Sequence, residues 1–269
     1  MKKRWISLLM MFLMIFSLTA CKKESGADNS LQYIKDNGKL VMGLDDTFAP
    51  MGFTDDNGDI IGFDVDLAKA VCEKLGVELV LQPVKWEAKE QELATKNIDC
   101  IWNGLSLTPE RKENMTMSKP YMTNDISLVV KSDSTIATMA DMAGLRLAVQ
   151  GGSSAEEALN DDTNKAFRES LGQINPFDKY DTALMDMETS NSDAVLMDTV
   201  MANYMINSLG KDYKVLGESL LPDEYAIGFR KGDAALCAAV EKALSELKAD
   251  GTVAEISTKW FGTDITTIQ

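Results

Sequence analysis

At 269 residues, 45% of them hydrophobic and 26% charged, the chain can bury one large core or two smaller ones. Its 42 acidic residues outnumber 27 basic ones, and a formal net charge of −15 repels nucleic acid and anionic lipid alike. Histidine, the commonest general base and a frequent metal ligand, is absent, which argues against hydrolytic and zinc chemistry.

The chain begins with Lys2-Lys3-Arg4 and the apolar run Trp5–Leu18. That run is short of the roughly 20 residues of a membrane span and suits a secretory signal. Leu18-Thr19-Ala20-Cys21 resembles the lipobox of bacterial lipoproteins. The resemblance implies loss of residues 1–20, lipid on the Cys21 thiol and anchoring at the outer face of the cell membrane. Loss of the three positive charges takes the formal charge from −15 to −18. Residues 21–30 are polar without apolar periodicity and read as a flexible tether.

Beyond Cys21 stand Cys72, Cys100 and Cys237, widely spaced and odd in number. They form neither a disulfide framework nor a zinc pattern and read as buried thiols. No metal and no cofactor is expected.

Lys39–Leu44 reads as a strand, followed by the turn-forming, acidic stretch Asp55–Asp59, which lacks a complete calcium-ligand series. Asp64–Leu75 places Leu67, Val71 and Leu75 on one helical face, stopped by Gly76. Val77–Leu81 reads as a strand and Glu87–Thr95 as a helix. The strand Ile98–Trp102 is expected to break at Asn103-Gly104. Ile126–Lys131, Leu145–Val149, Ala194–Leu196 and Tyr225–Phe229 read as further strands. Helices are expected over Met139–Met142, from Ala155, over Thr182–Glu188, Ala234–Leu247 and Val253–Trp260. Strands alternating with helices at this spacing predict parallel α/β sheets, in two sets that divide near residue 126, with a return near 225.

Ile98–Arg111 carries the most chemistry. After the strand, Thr108-Pro109-Glu110 has the form of a helix start, with a capping hydroxyl and proline at the first position. Hydroxyls, helix-start N–H groups and the Arg111 guanidinium fall together, a set that suits a small carboxylate. A plain strand–loop–helix junction has the same pattern. Gly151-Gly152-Ser153-Ser154 before a helix offers a second cluster of N–H groups. Asp198 follows a buried strand, where ligands of open α/β sheets sit and where helix caps also occur.

Seven blocks in register carry a family resemblance: Gly43–Pro50, Gly62–Ala68, Ser106–Arg111, Ser118–Tyr121, Val149–Ser153, Asp193–Asp198 and Asp250 through Gly262. Across about residues 37–262 the chain resembles the solute-binding proteins of polar amino acid ABC importers. The resemblance implies the type 2 periplasmic binding protein fold: α/β, with two Rossmann-like lobes joined by two hinge strands. Lobe 1 would comprise residues 31–125 plus 225–269, and lobe 2 residues 126–224. It implies an extracytoplasmic, monomeric carrier of an L-amino acid, partnered by a permease and not an enzyme. Arg111, with Ser106 and Ser153, matches the ligand-carboxylate site. Asp198, with Gly104 and Ser106, matches the ammonium site. Phe48 and Trp86 match the aromatic pair around the ligand side chain, and Asp45 and Asn103 fall where its polarity is read. Some relatives carry a charge at the position of Val149, which here is aliphatic. With no second basic residue visible, a neutral-polar or cationic side chain fits better than an acidic one.

Two rivals remain. A periplasmic cyclohexadienyl or arogenate dehydratase on the same fold would want an acid/base beyond Asp45 and Asp198, and the sequence makes none evident. A sensory module would normally be followed by a membrane span, and none is evident before Gln269, although a lipid-anchored protein could still present its ligand to a receptor.

Overall fold

The computed structural model describes residues 28–269. The expected signal segment, Cys21 and most of the expected tether lie outside the described residues. The chain enters through α1 (Ser30–Asn37) and continues into β1 (Lys39–Leu44), the short strands β2 (Thr47–Phe48), β3 (Gly52–Thr54) and β4 (Ile60–Ile61), and α2 (Phe63–Leu75). Next come β5 (Glu78–Pro83), a single turn at Trp86–Ala88 leading into α3 (Lys89–Ala94), β6 (Cys100–Ser106), α4 (Pro109–Asn114) and β7 (Met115–Met117). The long strand β8 (Met122–Lys131) leaves this half of the molecule. The other half holds β9 (Arg146–Gln150), α5 (Ser154–Asn160), α6 (Lys165–Ser170), β10 (Gln173–Phe177), α7 (Tyr180–Glu188), β11 (Ala194–Asp198) and α8 (Thr199–Asn207). A second long strand, β12 (Tyr213–Arg230), returns, and α9 (Ala234–Ala249) and α10 (Thr252–Phe261) close the first half.

The strand order is β10-β9-β11-β8-β12-β6-β1-β5, with β7 pairing β12 off this path. Within the halves, β1 runs parallel to β5 and β6, and β9 parallel to β10 and β11. The crossing strands β8 and β12 are antiparallel to each other and to their neighbours β11 and β6. The result is two α/β lobes joined by two strands. Val129, Ala148 and Val195 from one lobe belong to the same buried cluster as Met42, Trp102 and Ile227 from the other, so the interior is continuous across the junction. No helix among the described residues is long and apolar enough to cross a membrane.

Three expectations change. The strand β6 does not break at Asn103-Gly104 but runs to Ser106. Gly104 takes φ +58°, and the ladder to β12 shifts register between Ala226 and Gly228, so the chain bulges there and keeps pairing. The final strand is much longer than Tyr225–Phe229, because Pro222–Tyr225 pair with Met122–Asp125 of β8. Finally, α1, β10, α6 and α8 were not anticipated. The first three are short, and Asn164 through Ser170 and Gln173 through Phe177 leave few buried apolar side chains to read.

Cys72, Cys100 and Cys237 are free and buried, as expected. Burial pushes the Cys72 and Cys237 thiols up to about 12 and the Cys100 thiol well above its ordinary value, which keeps them protonated. Asp55–Asp59 closes the β3–β4 hairpin, with Asp55 N donating to Asp59 O at 2.9 Å. Among the described residues no cluster of side chains has the make-up of a metal site.

A Cβ on Gly104 would lie 2.7 Å from Phe48 Cε1 and 3.2 Å from the Tyr225 ring, in addition to the left-handed backbone. Gly104→Ala is therefore expected to lower the unfolding free energy by about 2–4 kcal/mol in urea titrations. An unchanged midpoint would contradict this packing.

Candidate functional site

The carboxyl ends of β1, β6, β9 and β11 converge between the lobes, and the first turns of α4 and α5 meet them there. Thr108 caps α4 as its sequence suggests: its Oγ1 accepts from Arg111 N at 3.3 Å, with Pro109 at the first helical position. That cap fixes the turn from which Arg111 points inward. Its side chain is 1% exposed.

Asp45, Phe48, Trp86, Asn103, Gly104, Ser106 and Arg111 from one lobe and Ser153 and Asp198 from the other line one cavity. All nine ligand-contact positions named from the sequence thus stand together. The space between the walls is about 270 Å³, and its polar lining is nearly closed off from solvent, with Arg111 and Asn103 1% and Asp198 3% exposed. The lobes must part to admit even a small molecule.

Reading the sequence misses Gln150, Ser154 and Tyr180, which line the same cavity. Val149 is corrected by strand alternation: it packs with Leu147 in the lobe interior, and the next residue, Gln150, faces the cavity. Gln150 Nε2 reaches across to Asp45 Oδ2 at 2.7 Å. Asp45 Oδ1 accepts from Thr47 N and Thr47 Oγ1, and its backbone N–H donates to Asn103 Oδ1 at 3.0 Å. Burial raises the Asp45 carboxyl above its ordinary value.

Ser153 acts locally. Its hydroxyl accepts from Glu156 N at 3.2 Å and donates to Gln150 O at 2.7 Å, as a helix cap does. Ser154, one residue on, faces Ser106 with its hydroxyl, 2.8 Å away.

Arg111 Nη1 donates to Ser106 O at 3.0 Å and Nη2 to Glu157 Oε1 at 2.6 Å. Arg111 Nε and Asn103 Nδ2 are buried and have no hydrogen-bond partner among the described residues. Such donors are costly unless something accepts from them.

Asp198 ends β11 just before α8 but makes no capping bond. Its Oδ1 accepts from Asn124 Nδ2 at 2.7 Å and from Tyr225 Oη at 2.8 Å. Burial, then the neighbouring charge of Asp223, pushes it up to about 7. Asp223 is a carboxylate that the sequence did not reveal, and it accepts from Ser106 Oγ at 2.7 Å. Nor is Arg111 the only cation nearby. Lys89 is 3% exposed and donates to Trp86 O and Gly152 O, with its Nζ 5.0 Å from the Trp86 ring centroid. Burial, then the Arg111 charge, lowers its ammonium to about 8.

The lobes are drawn together at several points: Lys89 to Gly152 O at 2.8 Å, Lys179 to Asp46 at 2.8 Å, Gln150 to Asp45, Ser106 to Ser154, and Arg111 to Glu157. Phe53 and Tyr204 meet across the rim with centroids 6.3 Å apart.

Residues 40–263 match the pattern of bacterial extracellular solute-binding proteins, family 3. The L-cystine-binding protein TcyJ of Escherichia coli is 32% identical over 246 residues, covering 91% of this chain and 90% of that protein. Among solved structures, a substrate-binding protein of an ABC uptake transporter from Streptococcus pneumoniae with bound histidine is 39% identical. It superimposes with a TM-score of 0.83, covering 90% of this chain and 99% of that one. A protein bound to L-arginine, Tv2483, gives a TM-score of 0.84 at 28% identity, covering 90% and 98% of the two chains.

Gly152 has φ +68°, and a Cβ there would stand 2.8 Å from the Glu87 Cα of the opposite lobe. Backbone cannot yield as a side chain can. Gly152→Ala is expected to hold the lobes apart, seen as a larger radius of gyration in small-angle X-ray scattering under conditions where the wild type is compact. Equal radii would contradict the contact.

Proposed function

Because the chain belongs to the bacterial extracellular solute-binding proteins of family 3, we propose that it captures a polar, neutral or cationic L-amino acid between its lobes. It then hands the ligand to the permease of an ABC importer. The observation that carries this reading is the pairing of opposite charges in one cavity: Arg111 on one lobe and Asp198 on the other. A zwitterion needs both, and only closure brings both to it.

The unpartnered Arg111 Nε is a ready donor to the ligand carboxylate, with Ser106 and the start of α5 at Ser153 and Ser154 completing its shell. Asp198 takes the ammonium, helped by the Gly104 carbonyl and the Ser106 hydroxyl. Phe48 and Trp86 flank the side chain, and Asp45, Asn103 and Gln150 read its polarity, Asn103 through its free Nδ2. Asp45, Asp198, Asp223 and Glu157 outnumber Arg111 and Lys89 around the cavity, and this favours a neutral or cationic side chain over an acidic one.

The ligand stabilises the closed state through its differential affinity for that state. The lobes would divide as residues 31–125 plus 225–269 and residues 126–224. The protein would work as a monomer on the outer face of the cell membrane, held by lipid on Cys21. It would make and break no covalent bond in its ligand: Asp223 is turned to Ser106 and Asn124 rather than into the cavity, so it does not serve as the added acid/base of a dehydratase.

Arg111→Ala and Asp198→Ala each strand a buried charge and are expected to cost about 3–5 kcal/mol of affinity in titration calorimetry. Wild-type affinity in either variant would remove the charge-pair scheme. In a thermal-shift screen of the refolded protein against the common amino acids, cystine and ornithine, neutral-polar or cationic ligands should give the largest shifts. Glutamate or aspartate at the top would overturn the specificity.

A further inference from the structure

Two carboxylates meet where the ligand scheme needs one. Asn124 Nδ2, on β8, donates to Asp198 Oδ1 at 2.7 Å and to Asp223 Oδ2 at 3.0 Å. Asp198 Oδ1 also accepts from Tyr225 Oη at 2.8 Å, and Asp223 Oδ2 from Ser106 Oγ at 2.7 Å. One amide therefore bridges two acids, and the crossing strands β8 and β12 set their separation. With the lobes closed Asp198 is 3% exposed and Asp223 half-buried, so water screens the repulsion between them only in part.

Resting on the amino-acid-binding reading, we infer that the Asp198–Asp223 pair holds a shared proton in the ligand-free protein and gives it up when the ligand's ammonium docks. Capture is thereby coupled to proton release. The step is a simple exchange: a carboxyl O–H bond breaks, its proton goes to solvent, and an N–H of the ammonium takes up the hydrogen bond to the freed carboxylate.

The surrounding groups are consistent with a protonated pair. Arg111, from α4, favours the charged form of Asp223, but its Nη2 is already paired with Glu157 from α5. From α7, Tyr180 turns its buried hydroxyl toward Asp198 and favours the charged form of that acid only weakly, its geometry falling short of a full hydrogen bond. On the flanking strands, Asp125 and Glu224 add negative charge to the groove that Asp223 lines. Burial raises both acids, and the charge of Asp223 adds to the rise of Asp198, to about 7. Such a pair titrates as a unit. The docked ammonium favours the charged form, so the complex holds fewer protons than the free protein. Affinity should therefore rise with pH up to about 7 and fall by up to about tenfold per unit below it.

The test is titration calorimetry of the whole mature domain with L-arginine and with L-glutamine, whose own charges stay constant between about pH 6 and 8. Buffers of different ionisation enthalpy give the number of protons released. Wild type should release a substantial fraction of a proton near pH 6 and almost none above pH 8. Asp223→Asn removes the like charge, so its proton release near pH 6 should fall and its affinity should flatten. Tyr225→Phe removes a bond that favours ionised Asp198, so its proton release should persist to higher pH. A wild-type binding enthalpy independent of buffer near pH 6 overturns the inference, as does an Asp223→Asn profile identical to wild type. Should Asp223→Asn fail to fold, the wild-type buffer series and Tyr225→Phe decide alone. Should neither bind, the same buffer series is run with cystine, ornithine and the other common amino acids, and failure of all of them above pH 8 would instead remove the amino-acid reading itself.

Discussion

The buried guanidinium of Arg111 is the constraint around which the molecule is arranged. Arginine keeps its charge in a protein, so a side chain 1% exposed must find acceptors or cost several kcal/mol. Its own lobe supplies one, the Ser106 carbonyl, and the opposite lobe supplies another, Glu157. Of its three nitrogens, Nε alone has no partner among the described residues. Closure of the lobes and the readiness to accept an anion thus follow from the same side chain. The Thr108 cap and Pro109 matter because they fix the turn of α4 that aims it.

The crossing strands do more than connect. A strand passing between two lobes could be apolar throughout, yet Asn124, Asp223 and Tyr225 are polar groups clustered at the crossing and bonded to Ser106 on one side and Asp198 on the other. A movement of the hinge therefore shifts the groups that would hold the ammonium. Lys89 plays a similar part: its ammonium lies beside the Trp86 ring and bonds Gly152 O, so it joins the aromatic wall to the start of α5 when the lobes are closed. Both arrangements tie the state of the site to the angle between the lobes.

The sequence was legible where a local signal is strong. The strand β1, the helices α2, α9 and α10, and the Thr108-Pro109 helix start all follow from periodicity and capping, and they appear within a few residues of expectation. The gathering of Arg111, Asp198, Phe48 and Trp86 in one cavity was legible only through the seven blocks taken together, since no spacing rule brings residues 48 and 198 to one place. What stayed hidden has physical reasons. Asp223 and Glu157 sit in acidic, partly exposed stretches that look like ordinary surface, and only the crossing of β8 and β12 and the docking of α5 give them partners. Gln150 was displaced by one position in favour of Val149, an error that the two-residue alternation of a strand turns into the opposite face. The run through Asn103-Gly104 looked like a break because glycine usually ends a strand, whereas here it makes the room that Phe48 and Tyr225 occupy.

In the proposed scheme two opposed charges, one on each lobe, close on a zwitterion. The most direct measurement is titration calorimetry of the wild-type protein with its tightest amino acid and with two analogues, one lacking the α-carboxylate and one lacking the α-amino group. Each analogue should lose at least about a hundredfold in affinity, about 2.7 kcal/mol. An analogue that binds within a few fold of the amino acid would contradict the clamp.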